Sequence, residues 1–174
     1  PTDGVTGALC VLGEQCPSGS SQPEQCTGGE YCPDGQSAGP CDPGYYCTRA
    51  SFTARPNGTL DSLGNPIGNV CPRGSECPLG SSAPRLCSGG TYNPDEGASE
   101  CLPCKEASYC PAGGTLEPKP CPAKYYCPAN TTSYTSFPCP PGHYCPGNTS
   151  EPVACAAGTY QTEYSQSSCD ACPA

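Results

Sequence analysis

Nineteen thiols in 174 residues are the chain's one concentrated chemical resource, and their spacing decides what chemistry they can do. Eighteen fall into nine units of two, opened by Cys10, Cys26, Cys41, Cys71, Cys87, Cys104, Cys121, Cys139 and Cys155, with Cys172 left over. The openers recur every 15 to 18 residues except across one stretched gap. A zinc ribbon needs two Cys-x-x-Cys steps roughly 15–20 residues apart. The two steps present, Cys101 to Cys104 and Cys169 to Cys172, are separated by 68 residues with other cysteines between them. A redox Cys-x-x-Cys wants a βαβ context, which this chain does not offer. Disulfide cross-linking needs only paired thiols and an oxidising compartment. The sole histidine, His143, has no second His for a common zinc site and no partner to orient it as a base. It is read as an exposed side chain at the variable position of its unit. No catalytic residue, metal or cofactor is expected, and the chain is read as not an enzyme.

Composition explains why cross-links are needed. Leu, Ile, Val and Phe together number 15, and Met and Trp are absent. Ordering a backbone costs roughly 1–2 kcal/mol per residue, which so few large apolar side chains cannot offset. Without its cysteines the chain would read as disordered. With them it reads as a secreted disulfide scaffold. The net charge of −9 repels phosphate backbones, so no nucleic-acid partner is expected. The acidic residues lack the regular spacing of a calcium loop. No stretch approaches the roughly 20 apolar residues of a membrane span.

The units show what must position the sulfurs. Cys26-Thr-Gly-Gly29-Glu-Tyr31-Cys32, Cys41-Asp-Pro-Gly44-Tyr-Tyr46-Cys47 and Cys139-Pro-Pro-Gly142-His-Tyr144-Cys145 are the cleanest copies. Gly at the fourth place permits a tight turn. Pro follows the second Cys in six of seven cases and should preset the first corner of the next turn. Ala107 and Lys124 replace the Gly in two units. In the units opened by Cys87 and Cys155 the second cysteine has moved to Cys101 and Cys169, 14 residues on. Each of these pairs closes a hairpin-sized loop, so Cys87–Cys101 and Cys155–Cys169 are expected disulfides. Elsewhere either the second Cys bonds the next opener or pairs interlace between neighbouring units. Runs such as Gly90-Thr-Tyr-Asn and Gly158-Thr-Tyr-Gln-Thr should form small hairpins. With 46 Pro and Gly and no apolar period of 3.6, helices should be nearly absent. The expected fold is therefore small and disulfide-rich, an elongated tandem array of short β-hairpins and turns with almost no helix.

Four segments are expected: a lead at 1–9, units at 10–47, an insertion loop at 48–70, and further units at 71–174. The insertion holds Phe52, Arg49, Arg55, Leu60, Leu63 and Ile67. A decorated spacer is its plain reading, since long surface loops are tolerated thermodynamically; the sharper one is a docking loop carrying Phe52 or Leu63. Acceptor sequons stand at Asn57, Asn130 and Asn148, so N-linked glycans are expected. Cys172-Pro173-Ala174 reads like the start of the unit at Cys121-Pro122-Ala123, so the chain is read as a segment of something longer. Its thiol would pair outside this sequence or with another molecule.

The signature Cys-Pro-x-Gly-x-Tyr-Cys-x-x-Gly, with the Cys-x-x-Gly-Thr-Tyr…Cys-x-x-Cys form at Cys87 to Cys104 and Cys155 to Cys172, resembles the ephrin-receptor-like cysteine-rich repeat. It covers roughly 10–174 apart from the insertion. The resemblance implies an extracellular stalk or filament and transfers no catalytic residue. The expected function is that of a structural extracellular glycoprotein, a rod-like segment of a filament, flagellar hair or surface coat, secreted or at the cell surface. It would associate head to tail or with other extracellular proteins. The alternatives are the stalk or ligand-binding module of a receptor ectodomain and, third, a cysteine-rich protease inhibitor with its reactive loop at 48–70.

Overall fold

The computed structural model describes residues 10–35 and 39–173, so the 1–9 lead lies outside the described residues. The chain is an array of small disulfide-closed hairpins. In eight of the nine units the residues after the fourth position run out as a two- or three-residue strand, and those before the next opener return antiparallel to it. Thus Glu30–Tyr31 pairs with Gly39–Pro40, Ser75–Glu76 with Arg85–Leu86, and Thr91–Tyr92 with Leu102–Pro103. Eight such two-stranded sheets form among the described residues. The unit opened by Cys121 makes a single bridge, Tyr125 to Pro138. A 3-10 turn at Tyr134–Ser136, in its connecting loop, is the helical content of the described residues.

The disulfides correct the expected connectivity. Seven openers bond the second cysteine of their own unit: Cys10–Cys16, Cys26–Cys32, Cys41–Cys47, Cys71–Cys77, Cys104–Cys110, Cys121–Cys127 and Cys139–Cys145. No second cysteine reaches the next opener, and no pairs interlace. The reason is local. The fourth residue has a left-handed φ, as at Gly29 (+92°) and Gly44 (+84°), and turns the chain back on itself. The opener and the cysteine six residues on then stand with Cα atoms 5.9 and 5.8 Å apart in those two units, inside the normal disulfide range. Closing so small a loop removes unfolded-state entropy worth on the order of 2 kcal/mol per bridge. In the two modified units Cys87 is joined to Cys101 and Cys155 to Cys169.

The sulfurs form the interior. Cys26, Cys32, Cys41, Cys47, Cys71, Cys77, Cys110, Cys127, Cys139 and Cys145 are completely inaccessible, whereas Leu12, Leu79 and Leu86 are exposed. Cysteine is among the most readily buried side chains, and here it takes the place that aliphatics hold in an ordinary domain.

Backbone hydrogen bonds join unit to unit. The array divides into two compact halves, residues 10–86 with Asp95–Glu100 and Cys87–Pro94 with residues 101–173. In the first half the fourth residue donates its N–H to the second cysteine of the following unit: Gly13 to the Cys32 carbonyl (3.0 Å), Gly29 to Cys47 and Gly44 to Cys77 (both 2.8 Å). In the second half Gly90 donates to Cys110, Ala107 to Cys127 and Lys124 to Cys145 in the same way. A return bond runs from the corner after the second cysteine to an earlier opener, as Gly80 N–H to the Cys41 carbonyl and Asn130 N–H to Cys104. The second cysteine's own N–H is also used, Cys32 donating to the Ser51 carbonyl and Cys110 to Thr131. Every group in this ladder is main chain, so the hydrogen bonds themselves do not fix the side chain at the fourth position. Ala107 and Lys124 accordingly occupy it at φ of +57° and +80°. The proline after the second cysteine sits one place earlier in its turn than expected: its carbonyl accepts from the residue three on, as from Ser20 to Pro17 and Ser81 to Pro78.

Close approach decides where glycine is obligatory. A Cβ on Gly44 would stand 2.2 Å from the Gly97 carbonyl oxygen, whereas one on Gly142 would meet nothing within 4 Å. Both residues have positive φ, so alanine at either bears the left-handed penalty of roughly 1–2 kcal/mol. Gly142→Ala should lose about that much stability. Gly44→Ala, which must also displace a neighbouring main chain, should lose about 3 kcal/mol or more. Denaturant unfolding of the oxidised proteins, followed by tyrosine near-UV dichroism, measures both; equal losses would refute the packing argument.

Candidate functional site

The insertion at 48–70 is the longest departure from the repeating unit among the described residues, and it is a folded lobe. It lengthens the third hairpin, whose strands Tyr45–Cys47 and Gly68–Val70 pair in register. The Thr48 N–H donates to the Ile67 carbonyl and the Ile67 N–H to the Thr59 carbonyl, each at 3.0 Å. The Thr48 hydroxyl donates to the Pro66 carbonyl at 2.7 Å. Ile67 and Pro56 are wholly buried and give the lobe a small core of its own.

Its tip is held by a carboxylate. Leu60 bridges to Pro66, and the chain turns through Asp61-Ser62-Leu63-Gly64-Asn65. The Asp61 Oδ1 accepts the backbone N–H groups of Leu63 and Asn65, both at 2.8 Å, and the Asn65 amide donates to Oδ2 at 3.1 Å. These bonds, the Asn65 backbone first, hold the Asp61 carboxyl below its ordinary pKa. The turn thereby presents Leu63 with 79% of its surface exposed and Leu60 with 55%. Phe52 is half-buried. Of the two expected docking side chains, Leu63 is the one offered to solvent.

The two arginines of the lobe differ. Arg55 pairs with Asp42, whose hydrogen bond and charge raise the guanidinium pKa above its ordinary value. Arg49 is exposed and in no ion pair among the described residues. It lies between two open clefts of about 400 and 330 Å³, which share Arg49 and Gln25. Glu24 and Thr27 line one cleft, and Thr48, Asp61 and Asn65 line the other. Both linings mix hydrogen-bonding side chains with apolar surface, to which Ala50 and Pro66 contribute in the second.

The remaining sequence candidates are dispersed. Asn57 is exposed on the lobe. Asn130 and Asn148, in the second half, are exposed at the same left-handed corner of consecutive units, with φ of +62° and +50°. Asparagine is enriched in that conformation among residues other than glycine, so backbone geometry alone gives a reason for it there. Cys172 is unpaired and exposed, and its N–H donates to the Gly158 carbonyl at 2.9 Å as an opener's does. His143 is half-buried on a strand opposite Ala154, not exposed as expected, with Nδ1 3.1 Å from the Pro141 carbonyl oxygen. Among the described residues no group of three or more His, Cys, Asp or Glu is placed to hold a metal ion, and no helix is long and apolar enough to cross a membrane.

One cluster escaped the sequence reading. In the second half the Tyr134 ring meets Tyr109 and Tyr125 edge to face, with centroids 5.1 Å apart in each pair, and Tyr126 lies 5.4 Å from Phe137. Such contacts are each worth about 0.5–1.5 kcal/mol beyond burial. The signal was there: Tyr134 and Phe137 stand outside the repeat's own tyrosine position.

No protein-family model matches this chain, and no curated protein sequence matches it significantly. The likeness to ephrin-receptor-like repeats therefore rests on the residues that carry it.

Because the Asp61 pKa is lowered on folding, the stability it lends the turn is complete above the ordinary aspartate value. That stability disappears as pH falls through the lowered, folded value. Hydrogen exchange at the Leu63 and Asn65 amides, corrected for intrinsic rate, should accelerate across that acid window while Gly29 stays protected. Asp61→Ala should make both lobe amides fast at neutral pH and abolish the dependence; unchanged protection in that variant would refute the carboxylate clamp.

Proposed function

We propose that this chain is a structural glycoprotein segment of an extracellular filament, hair or surface coat, working without catalysis. The observation that supports this reading is the ladder: each unit is closed by its own disulfide and hydrogen-bonded to its neighbours through main-chain groups. Units that mainly contact their neighbours build quasi-linear objects, and a head-to-tail contact that does not close propagates as a fibre. A junction made of backbone leaves the outward side chains free to vary, which suits material whose outer surface varies while its repeat persists. The sulfur interior requires an oxidising setting, secreted or at the cell surface. The resemblance to ephrin-receptor-like repeats agrees with both points, and N-glycans at Asn57, Asn130 and Asn148 would complete the surface.

A second reading, the ligand-binding part of a receptor ectodomain, is favoured by the lobe. A rigid turn presenting Leu63, near an unpaired Arg49 between two clefts, has the make-up of an interaction site. The inhibitor reading gains nothing from the geometry, because 48–70 folds into hydrogen-bonded turns and a buried Ile67 instead of an extended exposed strand.

Sedimentation velocity over a wide concentration range, with negative-stain imaging of the same samples, separates these readings. Assembly that grows with concentration into fibres, and survives exchange of the tip residues 61–65 for a short Gly-Ser link, is the result expected of a filament segment. Monodisperse monomers throughout would overturn it. Loss of assembly only when the tip is exchanged would move the function to the lobe.

A further inference from the structure

Asn57 is the only asparagine in the chain followed by glycine; Asn65 and Asn93 precede proline, Asn69 precedes valine, and Asn130 and Asn148 precede threonine. Asn-Gly is the pairing in which a backbone nitrogen most readily attacks the preceding side-chain amide, because glycine offers that nitrogen with no Cβ in the way. The fold does not withdraw the pair from this reaction. Asn57 and Gly58 are both exposed, and neither belongs to a strand. No hydrogen bond from the Gly58 N–H or to the Asn57 side chain forms among the described residues. Gly58 holds a φ of +67°, with only the far end of Asn69 near its open side, at 4.0 Å. The segment is tethered at each end, by the buried Pro56 and by Thr59, whose carbonyl accepts from Ile67. Two exposed residues between two anchors form a short reactive span.

We infer that Asn57-Gly58 is a self-modification site, at which glycosylation and spontaneous deamidation compete for one side-chain amide. In the second reaction the Gly58 nitrogen, giving up its proton, attacks the Asn57 Cγ. The Cγ–Nδ2 bond breaks and ammonia leaves with that proton. Water then opens the five-membered imide at either carbonyl, leaving aspartate or its β-linked isomer. Nothing beyond water is consumed. A glycan on Nδ2 forecloses the reaction, because the same nitrogen then carries the sugar. The outcome matters to the lobe: the β-linked product adds a methylene to the main chain between Pro56 and Thr59, where the Ile67–Thr59 hydrogen bond needs fixed register.

Two variants separate the routes. Thr59→Ala removes the sequon and keeps Asn-Gly; Gly58→Ala keeps the sequon and removes the glycine, in a φ region that Ala50 and Ala107 already occupy. Each is secreted from a glycosylating host, kept oxidised in mildly alkaline buffer, and mapped by peptide mass spectrometry before any glycan release, with isoaspartyl methyltransferase as the reporter of the β-linked product. The expected result is amide-to-acid conversion confined to residue 57 in Thr59→Ala, with a gain of one negative charge per chain and methyltransferase labelling. Glycosylated wild type, and those Gly58→Ala chains that leave the host without a glycan at residue 57, should keep the amide. The inference is overturned if folded Thr59→Ala keeps its amide while the same chain, reduced and unfolded, converts. It is equally overturned if Gly58→Ala converts as fast, or if Asn130 or Asn148 converts alongside.

Discussion

The disulfide between an opening cysteine and the one six residues later is the constraint on which the rest of this structure depends. It works on the smallest possible scale. A left-handed fourth residue reverses the chain, two Cα atoms come to 5.8–5.9 Å in the well-formed units, and the sulfurs close the turn. Each bridge restricts only a few residues, so each contributes on the order of 2 kcal/mol through the unfolded state. The benefit lies in repetition. A hairpin of two-residue strands cannot stand alone in water, yet once its turn is locked it offers main-chain donors and acceptors already aimed at its neighbour. Order then spreads from unit to unit by hydrogen bonds whose entropic cost the disulfides have largely met beforehand.

A junction built from backbone sets its own rules for variation. The fourth position must adopt a left-handed conformation and leave room for the corner carbonyl that approaches it. Where that carbonyl comes within 2.2–2.4 Å of the missing Cβ, as at Gly44 and Gly29, glycine is the only residue that fits. Where alanine or lysine stands there instead, at Ala107 and Lys124, the ladder bonds persist, with Ala107 donating to Cys127 and Lys124 to Cys145 at 2.9 Å. The same latitude explains why large apolar residues can sit exposed at Leu79, Leu86 and Leu102. Burial is not what holds these hairpins together, so hydrophobicity carries little positional information along this chain.

That is also why the sequence was informative about some features and silent about others. The period of the cysteines made the hairpin array and the near-absence of helix legible, since both follow from local turn chemistry and a lack of apolar periodicity. The partners of seven openers were not legible. Cys26 to Cys32 and Cys32 to Cys41 are both short enough steps in sequence to close a loop. Only the left-handed φ of Gly29, seen in three dimensions, brings the first pair into range and turns the Cys32 carbonyl toward Gly13. The lobe was visible as a lengthened gap holding Ile67, Leu63 and Phe52. Which of these would be core and which would be offered depended on strand register: Ile67 falls buried beside Gly68, whose open side faces Pro56, and Leu63 falls at the tip. The aromatic cluster around Tyr134 was hidden for a similar reason, because it joins residues from different units.

Two kinds of staple therefore coexist, and they divide the work. The units are held by covalent sulfur, indifferent to pH and reversible only by reduction. The lobe is held by hydrogen bonds to one ionised carboxylate, a clamp that acid can release. The first keeps each unit closed when carboxylates are protonated, because no titrating group is part of a disulfide. A surface that engages something gains from the second, because a hydrogen-bonded turn can be rigid enough to present Leu63 and still be free to evolve independently of the repeat. The first residues of the insertion still serve the units, since Ala50 donates to the Cys26 carbonyl and Ser51 accepts from Cys32. Its tip takes no part in that ladder, and the two are closed by different residues: cysteine in the units, Asp61 at the tip of the lobe.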